Sequence, residues 1–317
     1  MRGRCRGPRE FLGGLNPGAQ LNEPTLGYVE CASALQAPLN KTMDRDDLAL
    51  PEARAITGAL DDLIRELAAR SLPVSGWYGS IELPEDMRAW ERANRGPGYE
   101  PLPGAAEDER FPWFLYWEIA WLELGAGFAA GQRVLDLGGS SSLFSYYLAS
   151  RGIEVVTIDL DQELVRNANE VAAVAGWPLE NHVMDIAELD LTGPFDHVTS
   201  VCVFEHVPVS TRVRMSSRVR ELLRPGGTFA ITFDYANPSR LARISNPGDV
   251  REQFVEPSGL AARGNAEFHD NGRRYLEHPF RTADPARRQN LIERGLFLPG
   301  DEDQPGDYTF GALFLER

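Results

Sequence analysis

Short, unbroken apolar runs recur between residues 133 and 233, each closed by a turn or an acid. Val134, Leu135 and Leu137 surround Asp136. Ile153-Glu-Val-Val-Thr-Ile158 leads to Asp159, and His182-Val-Met184 leads to Asp185. Phe195 to Val207 is longer, and Thr228 to Phe233 follows the turn Leu222-Leu-Arg-Pro-Gly-Gly227. Runs of this kind suit strands covered on both faces, as in a parallel sheet. Helical spacing fills the gaps. Residues 143–150 open on three serines, which are good N-caps. In Gln162 to Ala175, residues Leu164, Val165, Ala168, Val171 and Ala172 share one face, and Gly176-Trp-Pro178 stops the helix. Ser210 to Leu223 is a third helix, with arginines outward. Strands alternating with helices predict a doubly wound α/β domain.

The flanks read differently. Leu50-Pro-Glu-Ala starts a helix with proline in its first turn, and Ile56, Leu60, Leu63, Ile64 and Leu67 recur at helical spacing. A short helix is expected over 83–94, and the Pro/Gly-rich stretch 96–104 is a linker. Phe111 to Leu124 is the densest aromatic stretch, with Phe114, Trp117, Trp121 and Leu124 on one face. Either this face packs on the sheet, or Trp113, Tyr116 or Trp117 roofs a ligand. Residues 236–281 are a weakly structured insert, and an insert of that length is usually functional or mobile. A helix over 282–294 precedes strands at 295–298 and 308–315; the hairpin loop between them makes the last strand antiparallel. Residues 1–42 lack periodicity and read as a disordered or non-native extension ahead of Met43. The division is then extension 1–42, helical cap 43–130, and core 131–317 with its insert.

Charge and cysteine usage narrow the field. A formal net charge of −15 argues against nucleic acid as the main partner, which needs a basic face. Cys5, Cys31 and Cys202 form neither a ligand pattern nor a disulfide framework. With no apolar run of membrane-spanning length, no membrane partner and a cytoplasmic location are expected. Lys41 is the single lysine among many arginines, a bias that fits a GC-rich bacterial genome and says little about function.

The candidate chemistry gathers at the ends of the apolar runs. Gly138 and Gly139 allow close backbone approach, and the helix after them presents free N–H groups. Asp136, buried, must accept hydrogen bonds from the turn or hold a cation through water. Asp159 lies about 20 residues beyond the turn, the spacing of a carboxylate that grips a ribose.

Val134-Leu-Asp-Leu-Gly138, Asp159, Asp185, the segment ending in Glu205-His206-Val207, and Leu223-Arg-Pro-Gly-Gly227 together resemble the class I S-adenosylmethionine-dependent methyltransferases, small-molecule type. The resemblance spans roughly 130–235 and implies a mostly parallel, seven-stranded Rossmann-like sheet with an antiparallel last strand. One departure stands out: the second and third glycines of the family's turn are Ser140 and Ser142. The resemblance implies that Gly138, Gly139 and Ser140 lie under the cofactor, with Asp136 near its amino-acid end. It implies Asp159 at the ribose, Leu160 beside it among the cofactor-binding residues, Asp185 and Ile186 at the adenine, and Cys202 and Val203 near the sulfur.

The expected reaction is methyl transfer to an oxygen or nitrogen of a small molecule, in a monomer or homodimer. His206, Glu205, Asp234 and Tyr235 are the candidate catalytic residues. Asp234, His269, Asp270 and His278 match no metal motif, so no metal is expected. The alternatives are a non-catalytic cofactor-binding subunit, an aminopropyl-type transferase of the same fold, and a nicotinamide dehydrogenase. The last is disfavoured because the Gly138–Ser142 turn lacks the glycines of its fingerprint.

Overall fold

The computed structural model describes residues 38–77, 79, 81, 98–105, 108, 110–237, 244–277, 285–286, 289 and 307–317. The expected helix at 83–94, the strand at 295–298, nearly all of the helix at 282–294, and residues 1–37 lie outside these.

Five parallel strands form the centre: β2 (Arg133–Leu137), β3 (Glu154–Asp159), β4 (Leu179–Val183), β5 (Phe195–Val201) and β6 (Leu223–Tyr235). β9 (Asp307–Glu316) runs antiparallel to β6, pairing Thr228 with Glu316 through to Tyr235 with Thr309. The spatial order is β1-β9-β6-β5-β2-β3-β4. The mostly parallel α/β sheet with an antiparallel last strand is the expected architecture. Two short strands, β7 (Ala261–Ala262) and β8 (Leu276–Glu277), also pair with β9, giving nine strands among the described residues where seven were expected.

The edge strand beside β9 is β1, Lys41–Thr42, so the last residues of the expected extension, 38–42, belong to the fold. Residues 39–43 are buried. The Asn40 side chain donates to the carbonyls of Arg263 and Asn265 and accepts from the Phe314 N–H. The segment has no periodicity because its partners are distant in sequence.

Alternate residues of each strand face opposite layers. Val134, Val155, Ala230, Ala312 and Phe314 face one core, built with α1 (Pro51–Ala69), α2 (Trp113–Ala126), α3 (Leu143–Ser150) and α4 (Gln162–Ala175). Leu135, Val156, Val198, Phe229 and Leu313 face the other, built with α5 (Val209–Leu222) and the helical segment α6 (247–258). The insert is therefore more ordered than expected: Phe254 of α6 stacks on Phe233 and meets Phe204 edge-on.

The aromatic helix α2 takes the packing role. Every residue from Trp113 to Glu123 is buried, and the Trp117 Nε1–H donates to Asp47 and the Trp121 Nε1–H to the Leu39 carbonyl. A Cβ on Gly125 would stand 2.3 Å from the Phe314 ring, so glycine is what lets α2 lie this close to β9.

Candidate functional site

The carboxyl ends of β4, β3, β2 and β5 lie side by side, where ligands bind in open α/β sheets. The β2–α3 turn is at the centre. Gly138 has φ +78°, and a Cβ there would meet Val203 at 2.6 Å. Gly139 needs no special φ; its hydrogen is required because a Cβ would stand 1.8 Å from Asp136 Oδ2. Asp136 accepts from Ser145 Oγ (2.7 Å) and Thr199 Oγ1 (2.9 Å), hydroxyls from α3 and β5 rather than the turn's own N–H groups. Burial pushes its carboxyl up to about 6, against the pull of those two bonds.

The serines that replace glycines fit because neither needs a glycine conformation. Ser142 is extended (φ −74°) and caps α3, accepting from the Ser145 N–H. Ser140 is buried and hydrogen-bonds Thr157 Oγ1 at 2.7 Å. The left-handed residue is Ser141 (φ 61°), whose hydroxyl donates to the Leu164 carbonyl and accepts from Asn167. Ser75 donates both its N–H and its hydroxyl to the Ser141 carbonyl, tying the segment before the aromatic helix to the turn.

Asp159 ends β3, half-buried. Burial raises its carboxyl above the usual range, while N–H groups of Asp161, Leu160 and Ser140 pull it back. Leu160 beside it is 66% exposed, an apolar side chain left open next to a carboxylate. Asp185 accepts from the Ala187 N–H (2.8 Å) and caps a 3-10 turn, Ile186–Glu188, in which Ile186 is buried. A carboxylate, an open apolar side chain and a glycine-bearing turn stand at the ends of the paired strands β3 and β2, a set of groups that fits a nucleoside cofactor such as S-adenosylmethionine.

The run 195–207 is not one strand. β5 stops at Val201, Cys202 adopts φ 51°, and Phe204–His206 forms a 3-10 turn. This break gathers polar groups beyond the cofactor turn. Cys202 Sγ donates to Glu118 Oε1 (2.7 Å), and the Asp234 N–H donates to Glu205 Oε1 (3.2 Å). Asn237 Nδ2 donates to Asp234 Oδ2 at 2.6 Å. Burial pushes Glu118 up to about 8 and the Cys202 thiol well above its ordinary value.

Of the four catalytic candidates, the structure brings Glu205 and Asp234 together. His206 is exposed on the 3-10 turn. Tyr235 points to the opposite face of the sheet from its neighbour Asp234, stacking on Phe268 with Arg274 over its ring. Asp270 pairs with Arg274 at 2.8 Å, which holds its carboxyl low; His278 lies outside the described residues. Glu118 was missed by sequence reasoning. Its signal was present: an acid inside the otherwise apolar turn Trp117-Glu-Ile-Ala-Trp121.

Residues 134–227 match the family model described as a methyltransferase domain. The resemblance to class I S-adenosylmethionine-dependent methyltransferases holds over this segment. A ubiquinone biosynthesis O-methyltransferase of Xanthomonas axonopodis pv. citri is 32% identical over 146 residues, 42% of this chain and 60% of the relative. The chain thus spans less than two thirds of that relative's length. Among solved structures, the [4+2]-cyclase SpnF aligns at TM-score 0.48 and 16% identity, over 78% of this chain and 98% of its own. Phosphoethanolamine N-methyltransferase 2 of Haemonchus contortus, bound to S-adenosylmethionine, aligns at 0.43 and 17%, over 65% and 53%. Among the described residues no helix is long and apolar enough to cross a membrane.

Proposed function

We propose that this chain is an enzyme that transfers a methyl group from S-adenosylmethionine to an oxygen of a small-molecule acceptor. One observation carries the reading. Asp136 braced against Gly139, and Asp159 one strand away, stand at adjacent strand ends inside the segment that matches a methyltransferase domain. The relative named as an O-methyltransferase supports oxygen as the acceptor atom, and the net charge of −15 supports a small molecule over nucleic acid.

The sulfonium of the cofactor supplies the activated methyl group. The protein's task is then alignment, which can contribute roughly 7–11 kcal/mol. The Gly138–Ser140 backbone would hold the cofactor's methionine part, Asp159 its ribose, and Asp185 and Ile186 its adenine. Val203, against Gly138, limits the space at the β5 side. Glu205 and Asp234, beyond Cys202, are the acids placed to orient an acceptor hydroxyl or take its proton. A cytoplasmic homodimer completes the proposal, and light scattering tests the oligomer.

Calorimetric titration with S-adenosylhomocysteine, wild type against Asp159→Ala, tests the cofactor. A methyl-transfer assay over phenols, alcohols and amines tests the acceptor. Binding with transfer to hydroxyls supports the reading, and absence of binding to the wild type overturns it.

A further inference from the structure

We propose that Cys202, Glu205 and Asp234, with Glu118 bonded to the Cys202 thiol beside them, form a site for a divalent transition-metal ion of the zinc class. One ligand atom from each of the first three lies within 4.8 Å of the other two. Donors about 2.0–2.3 Å from one ion can stand up to roughly 4.6 Å apart, so closing the set needs only a small side-chain adjustment.

Glu118 provides the independent observation. It comes from a different layer, the aromatic helix α2, and is fully buried. Its Oε1 accepts from the Cys202 thiol at 2.7 Å, which aims the carboxylate into the group, and its Oε2 has no hydrogen-bond partner. A buried carboxylate oxygen without a partner is costly. An ion bound at Cys202, Glu205 and Asp234 would add positive charge beside this carboxylate.

Charge and access agree with this. Three carboxylates share one buried neighbourhood, and each acts electrostatically on the Cys202 thiol. A dication is the countercharge that such a group accepts. Cys202 is half-buried where Glu118, Glu205 and Asp234 are buried, so it is the most accessible member of the group. The set joins thiolate to carboxylate. Thiolate selects zinc and its neighbours over magnesium or calcium.

Cys202 is followed directly by Val203, whose side chain stands against Gly138. An ion at the proposed site could polarise an acceptor hydroxyl and lower its pKa. That role rests on the methyltransferase reading; the metal site itself does not.

The test uses the full chain, stripped with chelator and titrated with zinc(II), then with cobalt(II) as a spectroscopic probe. The expected result is about one equivalent bound, with a rise in melting temperature and a near-ultraviolet cobalt–thiolate absorption. Cys202→Ser should abolish that absorption. Asp234→Asn and Glu118→Gln should each weaken zinc binding by roughly tenfold or more. Wild type that binds no zinc, or binds it equally in all three variants, overturns the proposal; the group is then a hydrogen-bonded cluster filled by protons. Circular dichroism checks that each variant folds, and Cys202→Ser with Glu118→Gln decides the matter if Asp234→Asn does not. Parallel titration with S-adenosylhomocysteine separates the two readings. Its loss in the wild type would count against the methyltransferase, and loss of zinc alone would count against the metal site.

Discussion

Gly139 faces the Asp136 carboxylate so closely that any Cβ on the glycine would overlap it, at 1.8 Å from Oδ2. The carboxylate cannot swing away without giving up Ser145 and Thr199. Gly139→Ala should therefore remodel the cofactor turn. We expect weaker S-adenosylhomocysteine binding by roughly tenfold or more, equivalent to about 1.4 kcal/mol, and a lower melting temperature. Calorimetry and thermal melts check both. Gly131→Ala is a less informative control because its φ of +80° is itself strained; Gly58→Ala, with open space around it, should leave binding unchanged.

Asp159 should act on binding far more than on folding. It accepts from the backbone N–H groups of Asp161 and Leu160 in its own loop and of Ser140 in the neighbouring turn, and it is half-buried. Hydrogen bonds to a charged acceptor are worth roughly 1.5–3 kcal/mol each. Loss of two ribose bonds in Asp159→Ala should raise the dissociation constant on the order of a hundredfold or more. A melting temperature within a few degrees of wild type would accompany it. Unchanged affinity by calorimetry would remove Asp159 from the site.

Much of the candidate cleft was legible in sequence because its residues are local. Asp136, Gly138 and Gly139 fall on one strand and turn, and Asp159 and Asp185 each close the next apolar run. What could not be read depends on long-range contact. Glu118 meets Cys202 across 84 positions, and Asn40 meets Phe314 across 274. The end of β5 was misplaced because Cys202–Val207 is apolar enough to extend a strand, while the left-handed Cys202 breaks it. Asp234 and Tyr235 were grouped by adjacency, although neighbours on a strand face opposite layers.

Two buried groups should give opposing pH dependences of stability. Burial lowers His197 to about 4; its ring packs on Phe128 and its Nε2 meets Gln132 at 3.0 Å. The unfolded chain takes up that proton at about 6.5, so this contribution is lost as pH falls from about 6.5 to 4. Asp136 behaves in the opposite sense. Its folded value is about 6 and its unfolded value about 3.9. The folded state therefore holds the proton longer, and stability falls as pH rises from about 4 to 6. His197→Phe should leave the falling slope, and Asp136→Asn the rising one. Urea unfolding at pH 4, 5, 6 and 7 separates the two.

The single lysine is structural. Lys41 Nζ bonds Asp47 Oδ1 at 2.6 Å, both side chains are buried, and the Trp117 Nε1–H donates to the other carboxylate oxygen at 2.8 Å. Lys41 also lies over the Trp121 ring. Removing one partner of a buried pair costs roughly 3–5 kcal/mol, because the other charge stays behind. Lys41→Met should therefore lower stability strongly, with the loss moderated by the Trp117 bond and by uptake of a proton on Asp47, whose carboxyl burial already raises. Asp47→Asn in the Lys41→Met background removes the orphaned charge and keeps an acceptor for Trp117. The double variant should thus be more stable than Lys41→Met alone. A chain starting at Met43 would lose the lysine, β1 and the Asn40 contacts together, and should melt below one starting at residue 38. Equal melting of the two truncations would mean that the pair contributes nothing to the fold.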